Sequence, residues 1–137
     1  MIRFCNKNDL EFINNLGKEL HSNYLFSINK FSNALVYVRD KKIIGFVSFS
    51  LLYERMEIND IVVLSDFRKM GIGKKLINSL IKYARKCNCN NITLEVSEKN
   101  LAGIKLYEST SFIVVAKRNN YYKDASALLM KIDLEVK

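Results

Sequence analysis

The sequence predicts an α/β fold of the mixed α+β kind, with one mixed, mostly antiparallel sheet of about six to seven strands flanked by about four helices. Strand-like and helix-like segments follow the order β-α-α-β-β-β-α-β-α-β-β, and the three consecutive strands break the regular βαβ alternation of a doubly wound fold. The 137 residues also contain no repeat and no Gly/Ser linker. We therefore expect one domain over residues 1–137.

The first half of the chain is predicted to form a helix followed by three strands. In residues 8–20, NDLEFINNLGKEL, Asn8 and Glu11 stand at capping-box spacing ahead of an apolar stripe. The stripe consists of Leu10, Ile13, Leu16 and Leu20. Residues 34–53, ALVYVRDKKIIGFVSFSLLY, indicate a hairpin around the turn RDKK. Residues 56–64, MEINDIVVL, indicate a strand whose apolar end favours a central place in the sheet.

The second half is predicted to alternate helices and strands. The segment KLINSLIKYARK indicates an amphipathic helix with cations on its outer side. Its apolar stripe is Ile72, Leu76, Leu80 and Ala84, supported by Ile77 and Ile81. The strictly alternating NITLEVS indicates a strand, and NLAGIKLYEST a short helix capped by Asn100. FIVVAKR and ALLMKID are the closing strands.

Charge and hydropathy limit the partners. The 22 Lys and Arg against 14 Asp and Glu give a net charge of +8, which suits an anionic cofactor, nucleic acid or an acidic partner. The lysines are scattered and no aromatic residues interleave with them, so we expect no specific nucleic-acid partner. No apolar run approaches the roughly 18–20 residues of a membrane span, and residues 1–12 lack the apolar block of a signal peptide. We expect a cytoplasmic protein without a membrane partner.

Cysteine and histidine usage restricts the chemistry. Cys5, Cys87 and Cys89 are odd in number and lack the C-x-x-C spacing, which favours reduced thiols over a disulfide framework. The only histidine is His21. A Ser-His-Asp triad, a Cys-His pair or a zinc site would have to be built on that one imidazole. We expect none of these, and no metal.

The segment RKMGIGK, residues 68–74, is a candidate anion site at a strand-to-helix junction. It matches neither the dinucleotide pattern, which needs a third glycine, nor the Walker A pattern. Gly71 and Gly73 nevertheless allow backbone N–H groups to approach an anion closely. The helix that starts here adds unpaired N–H groups and the positive end of its dipole. The loop therefore suits a diphosphate, although a plain turn that needs glycine for its geometry stays open.

The spacing Arg68-x-x-Gly71-x-Gly73 after a strand resembles the acetyl-CoA pyrophosphate motif, [RQ]-x-x-G-x-[GA], of the GNAT N-acetyltransferase superfamily. Two further segments resemble its RimI-type branch, bacterial enzymes that acetylate the N-terminal alanine of a small-subunit ribosomal protein. LEVSEKNLAGIKLYESTSF is similar to the "LEV…N…ALYE…GF" block of that branch, and RNNYY to its "RRNYY" loop. The resemblance runs from about residue 43 to the end and implies the GNAT fold.

The resemblance also implies a role for individual residues. Ile61, Val62 and Val63 would pair by backbone with the pantetheine arm of acetyl-CoA, the implied cosubstrate. The loop Arg68, Lys69, Met70, Gly71, Ile72, Gly73 and Lys74 would hold the pyrophosphate. Asn100 would contact the pantetheine end. Glu95 would be the general base and Tyr107 the general acid, and Arg118, Tyr121 and Tyr122 would bind the N-terminus of a protein substrate, a ribosomal one in this branch.

The implied chemistry is consistent with the residue types. An α-amino group, with a reference pKa of about 7.7–8.0, needs only a carboxylate as its base, and a tyrosine, with a reference pKa of about 10, can protonate a thiolate. No covalent intermediate is required, which suits a chain with one histidine. By itself, a glutamate on a strand is usually solvated, and a tyrosine on a helix usually belongs to the core. The occurrence of Glu95 and Tyr107 together with the glycine loop is what favours a catalytic role for both.

Three departures from the branch bear on the acceptor. Ser111 stands where a glycine is usual, Asn119 where an arginine is common and Lys123 where a proline is common. Two alternatives therefore stay open beside the protein N-terminus. The acceptor would be a small-molecule amine or a lysine side chain, or the chain would be a non-catalytic CoA-binding, ribosome-associated module.

Overall fold

The computed structural model describes residues 1–19 and 24–134. Seven strands form one sheet in the order β1-β2-β3-β4-β5-β7-β6, in which the β4–β5 pair is parallel and the others are antiparallel. The strands are β1 (Ile2–Phe4), β2 (Ser32–Arg39), β3 (Lys42–Leu52), β4 (Arg55–Val63), β5 (Asn91–Ser97), β6 (Ile113–Tyr122) and β7 (Ala125–Asp133). The α-helices of the described residues are α1 (Leu10–Gly17), α2 (Ile72–Lys86) and α3 (Leu101–Ser109).

The predicted fold class is confirmed, but the described residues contain three α-helices rather than about four. The short second helix expected between the first helix and the hairpin is not found in residues 24–31, the described part of that connection. In the described ranges, two 3₁₀ turns, Lys7–Asp9 and Ser65–Phe67, supplement the α-helices. None of the helices in the described ranges is long and apolar enough to cross a membrane.

The start of the first helix differs from the prediction. The capping residue is Asn6 rather than Asn8, because the Asn6 side chain accepts the N–H of Asn8 at 2.9 Å while the Asp9 carboxylate accepts the N–H of Asn6 at 2.8 Å. The capping box is therefore shifted two residues towards the N-terminus and starts the 3₁₀ turn that leads into α1. Leu20, predicted as the last residue of the stripe, and His21 lie outside the described residues.

The β2–β3 hairpin and the α2 stripe are confirmed. Asp40 and Lys41 both have positive φ, 51° and 65°, which is the backbone of a tight hairpin turn. All six predicted stripe residues of α2 are buried. Their alignment on one helix face seals the larger of two cores.

Two hydrophobic cores lie on opposite faces of the sheet. The larger lies on the α2 face and includes Leu76 and Leu80 of α2, Leu94 of β5 and Tyr107 of α3. The smaller lies on the α1 face and joins helix α1 to residues such as Phe46 of β3. Each strand position can therefore be assigned to one face by the core it enters.

Candidate functional site

The parallel ladder between β4 and β5 stops early. It pairs Arg55–Glu57 with Asn91–Thr93, and the later parts of these two fully described strands are not paired with each other. We call this unpaired stretch, between residues 58–63 of β4 and 94–97 of β5, the β4–β5 opening. The N–H of Leu64 bonds to Ile44 of β3 at 2.8 Å. Because strand N–H groups alternate in direction, those of Ile61 and Val63 point away from β3, into the opening.

A β-bulge at Asn59 sets which side chains border the opening. In the β3–β4 register, Phe49 pairs with Ile58 and Ser48 with Asp60, so Asn59 is the extra residue. Met56 and Ile58 before the bulge belong to the α2-face core. Beyond it, Val62 enters the α1-face core, while Ile61 and Val63 pack against the α2-face core. Asp60, two residues before Val62, therefore lies on the α1 face.

Glycine is favoured at two positions of the predicted anion loop for different structural reasons. Gly71 has φ of 80°, a left-handed conformation that disfavours side chains, and a Cβ there would meet nothing within 4 Å. A Cβ at Gly73 would lie 3.1 Å from Cδ2 of Leu106, so this glycine lets α3 approach α2 closely. The first turn of α2 has neither a side-chain cap nor an acidic residue. Its N–H groups and dipole are therefore available to an anion.

The side chains of this loop divide into exposed and buried ones. Lys69, Met70 and Lys74 are exposed, while Ile72 is buried in the core and offers only its backbone. Arg68 folds back over the end of β4. Its Nε donates to the carbonyl of Val63 at 3.0 Å and its Nη2 lies 3.1 Å from the carboxylate of Glu19. Arg68 thus joins the loop to the segment that follows α1.

Glu95 lies on the α1 face of β5, because its neighbours Leu94 and Val96 enter the opposite core. Nη1 of Arg118 is 3.4 Å from its Oε1. The guanidinium also lies 4.9 Å from the centre of the Tyr121 ring, and the rings of Tyr121 and Tyr122 meet edge to face at 5.1 Å. The three predicted acceptor-binding residues therefore form one cluster, which Arg118 links to Glu95.

The segment RNNYY, expected as a loop, is the end of strand β6. The β6–β7 register shifts between Arg118 and Tyr122, and Asn120 has φ of 54°. The N–H of Asn120 bonds to the hydroxyl of Ser126 at 3.2 Å. The irregular strand end, rather than a free loop, thus orients the two tyrosines.

Tyr107 is a core residue, 7% exposed, with its ring 5.9 Å from that of Phe112. Burial, with a smaller contribution from the charge of Asp60, raises the pKa of Tyr107 to about 12. Its hydroxyl therefore keeps its proton throughout the neutral range. The pKa of Tyr24, a residue that the sequence did not single out, is also raised to about 12. Burial is again the main cause, and the charge of Asp60 again makes a smaller contribution.

Asn100 and Ser111 flank Tyr107 at the two ends of α3. The side chain of Asn100 accepts the N–H of Gly103 at 3.0 Å and caps the helix, as predicted from the sequence. Ser111 has φ of 78°, the conformation in which glycine is usual. The serine therefore occupies a position whose backbone favours glycine.

Sequence reasoning missed a carboxylate that borders the opening, Asp60, which lies within the predicted strand MEINDIVVL. The polar pair Asn59-Asp60 in the middle of that strand was the available signal, because two successive polar residues break a period of two and indicate a bulge.

Comparison with known proteins assigns the family. The Acetyltransferase (GNAT) family profile matches residues 5–112. The chain is 31% identical over 88 residues to a [ribosomal protein bS18]-alanine N-acetyltransferase of Haemophilus ducreyi, covering 64% of this chain and 61% of that one. It is 32% identical over 81 residues to the protein of that name in Escherichia coli K12, covering 59% and 55%. The aligned segment thus spans less than two thirds of these relatives.

The fold has close counterparts among solved structures. The Escherichia coli ribosomal-protein-S18-alanine N-acetyltransferase superposes with a TM-score of 0.89 at 23% identity, covering 100% of this chain and 95% of that chain. A spermidine N-acetyltransferase chimera from Vibrio cholerae and hSSAT superposes with a TM-score of 0.85 at 22% identity, covering 97% and 96%. At these identities the likeness concerns the fold. With the family profile covering most of the sequence, this chain belongs to the GNAT acetyltransferase family.

Proposed function

We propose that this protein is an acetyl-CoA-dependent N-acetyltransferase that acts on the α-amino group of an N-terminal alanine, in a small-subunit ribosomal protein. The acceptor is taken from what the similar proteins are named for. The observation that carries the proposal is the β4–β5 opening. It leaves the N–H groups of Ile61 and Val63 directed between two strands, with the α2 N-terminus beyond the end of β4.

The residues around the opening fit acetyl-CoA. An extended pantetheine arm has amide groups that can pair with Ile61 and Val63 as an added strand would. The diphosphate then meets the uncapped start of α2, where Gly71 leaves open space and Lys69 and Lys74 are exposed cations. Arg68 contributes a third cation. Asn100 is largely committed to capping α3, so only its amide NH₂ remains for the pantetheine end.

The proposed chemistry divides two proton transfers between Glu95 and Tyr107. When bound, acetyl-CoA supplies the acetyl thioester. Glu95 accepts a proton from the acceptor's ammonium, directly or through one water, which leaves the nitrogen a lone pair for the new N–C bond. As the C–S bond breaks, the hydroxyl of Tyr107 donates its proton to the departing sulfur, and the second proton that the nitrogen loses on becoming an amide returns through water to the Tyr107 oxygen. The N–H of Val63 faces the opening and is a candidate donor to the developing oxyanion.

The surroundings suit these roles. Arg118 holds the Glu95 carboxylate on the α1 face, so the base is oriented before the acceptor arrives. Tyr121 and Tyr122, 50% and 36% exposed, offer an aromatic wall for the first residues of a peptide. The substitutions Asn119 and Lys123 lie next to these tyrosines. They bear on which peptide is accepted, not on the proton transfers.

A panel of acceptors tests the proposal. The protein is incubated with acetyl-CoA and peptides that differ in their first residue, including one that copies an alanine start, and with spermidine and a lysine peptide blocked at its N-terminus. Mass spectrometry identifies the acetylated nitrogen. We expect acetylation of the alanine α-amine, and a rate lower by about 10²–10⁴-fold in Glu95→Gln. Acetylation of spermidine or the lysine peptide alone would overturn the acceptor assignment, and no transfer to any amine would favour a non-catalytic CoA-binding module.

A further inference from the structure

We infer that Ser126 is a positioning residue that sets where Tyr121 and Tyr122 meet the acceptor. These two tyrosines are called the aromatic wall below. The inference rests on the proposed function and assigns a task to a residue at the start of strand β7. Ser126 itself would touch neither the acceptor nor acetyl-CoA.

Ser126 faces a bulge at the end of strand β6. In the β6–β7 register the pairing is interrupted after Arg118 and resumes at Tyr122, so the three residues between them stand opposite the single residue Ser126. Asn120, the middle one of the three, has φ of 54°. Because the extra residues bend the strand just before the aromatic wall, the shape of the bulge decides where the two rings lie.

The hydroxyl of Ser126 holds this bulge. Its Oγ accepts the N–H of Asn120 at 3.2 Å, in place of the backbone carbonyl that a regular ladder would offer. Ser126 is 7% exposed, so its side chain is enclosed by the surrounding sheet. An N–H that loses its acceptor at such a place is costly. The hydroxyl therefore favours one shape of the bulge.

The backbone of Ser126 is tied to the strand that carries the proposed general base. Its carbonyl accepts the N–H of Glu98 at 2.9 Å, just beyond the end of β5. The carboxylate of Glu98 in turn lies 3.2 Å from Nζ of Lys117 on β6. The bulge is thus fixed relative to β5, which keeps the aromatic wall at a defined distance from Glu95.

Ser126 acts through the backbone and not by contact with the acceptor. Leu128, two positions further along β7, packs against the α2-face core. Since strand side chains alternate, Ser126 points to that same side, whereas Glu95 lies on the α1 face. A substitution of Ser126 therefore removes no contact with an acceptor that approaches Glu95.

The proton-transfer groups are held independently of the bulge. Arg118 precedes it and pairs with Ala127 in the ladder, and its guanidinium lies 3.4 Å from Glu95. Tyr121, whose ring centre is 4.9 Å from that guanidinium, follows the bulge. A change in the bulge should therefore move the aromatic wall and leave the base in place, which affects acceptor binding more than turnover.

The test compares Ser126→Thr with Ser126→Val, because these side chains share one shape and only threonine keeps a hydroxyl. We expect Ser126→Val to raise KM for an alanine-start peptide by roughly three- to tenfold, with kcat and KM for acetyl-CoA within about twofold of wild type. Ser126→Thr should stay within about twofold of wild type in all three values. The control is Ser32→Ala, which removes a 3.1 Å hydroxyl pair with Ser50 between β2 and β3 and should behave as wild type.

Three outcomes of these assays overturn the inference. An unchanged KM in Ser126→Val means that the hydroxyl does not set acceptor binding. An equal rise of KM in the threonine and valine variants means that side-chain volume, not the hydroxyl, matters. A lower kcat at unchanged KM means that Ser126 acts on proton transfer.

A double-mutant cycle asks whether Ser126 acts through the aromatic wall. In the background Tyr121→Ala/Tyr122→Ala, Ser126→Val should cause no further rise of KM for the peptide, because the rings that it positions are gone. The same factor in both backgrounds would show that Ser126 acts by another route, and the inference would fall.

Amide hydrogen exchange at Asn120 separates this inference from the proposed function, because it needs no substrate. We expect the Asn120 amide to exchange about three- to tenfold faster in Ser126→Val than in Ser126→Thr. Equal rates overturn the inference, whatever the wild type acetylates. If wild type acetylates spermidine but no peptide, the proposed acceptor is wrong, and the inference then requires the same KM pattern with spermidine. If wild type acetylates no amine at all, the proposed function and the inference both fail.

Discussion

The guanidinium of Arg118 on β6 lies 3.4 Å from the carboxylate of Glu95 on β5, with strand β7 between the two. Both residues pair with β7, Glu95 with Leu129 and Arg118 with Ala127. The ion pair therefore crosses one strand on the α1 face. The two side chains are 54% and 28% exposed, so solvent screens the pair and it contributes little to folding.

This arrangement predicts a functional rather than a structural role for Arg118. Arg118→Gln should change the free energy of unfolding by less than about 1 kcal/mol. It should reduce kcat/KM for the alanine peptide by roughly tenfold, because the base loses its orientation. Lys117→Gln is the control, since Lys117 pairs with Glu98 at 3.2 Å instead. Equal effects of the two variants on turnover would contradict a specific role for Arg118.

Tyr107→Phe should separate catalysis from stability. Loss of the hydroxyl should lower kcat by about 10²-fold and leave KM for acetyl-CoA nearly unchanged, because the ring still fills its place in the core. A variant with wild-type kcat would remove Tyr107 from the mechanism.

The same substitution has a signature at alkaline pH. The pKa of Tyr107 is about 12 in the folded protein and about 10 when unfolded. The folded state thus holds the proton more tightly. The resulting contribution to the free energy of unfolding is complete below about pH 10 and is lost as pH rises through about 12. Between these values the free energy of unfolding should fall by up to about 1.4 kcal/mol per pH unit for each such tyrosine. Urea titrations at several pH values should show that the free energy of unfolding falls less steeply with pH in Tyr107→Phe than in wild type. The same fall in both proteins would contradict the burial of the Tyr107 hydroxyl.

Glu19 should compete with the diphosphate of acetyl-CoA for Arg68. Both side chains are more than one third exposed, so the 3.1 Å pair is weak. Glu19→Gln should lower KM for acetyl-CoA by about two- to fivefold at low salt, and Arg68→Gln should raise it. The decrease of KM for acetyl-CoA in Glu19→Gln should become smaller at high ionic strength. Glu11→Gln, which changes an exposed glutamate of helix α1, is the charge-matched control. A higher KM in Glu19→Gln would show that the pair assists cofactor binding instead.

Ser111 offers a stabilising substitution. A left-handed backbone costs a residue with a side chain roughly 1–2 kcal/mol, and Ser111 has φ of 78°. Ser111→Gly should therefore raise the free energy of unfolding by about 1 kcal/mol in urea titrations. Ser111→Ala keeps the strain and should show no such gain. A loss of stability in the glycine variant would mean that the serine side chain compensates for its backbone.

The parts of the fold in which apolar residues recur at a regular spacing could be predicted from the sequence. The stripe of α2 and the alternation of β5 require only that one face be apolar, and both were confirmed. The β4–β5 opening and the bulge at Asn59 depend on how two distant strands diverge, which no local pattern records. The ion pairs of Glu95 and Arg68 likewise join residues far apart in sequence. The glycine loop was found by its spacing, but the contact of Gly73 with Leu106 needed the position of α3.

Residue-resolved amide hydrogen exchange with and without acetyl-CoA tests whether the β4–β5 opening receives the cofactor. We expect the amides of Ile61 and Val63, which point into the opening, to become strongly protected when acetyl-CoA is added. The amides of Asp60 and Val62, which already face β3, should change little. Unchanged exchange at Ile61 and Val63 under saturating acetyl-CoA would mean that the cofactor does not bind in the opening.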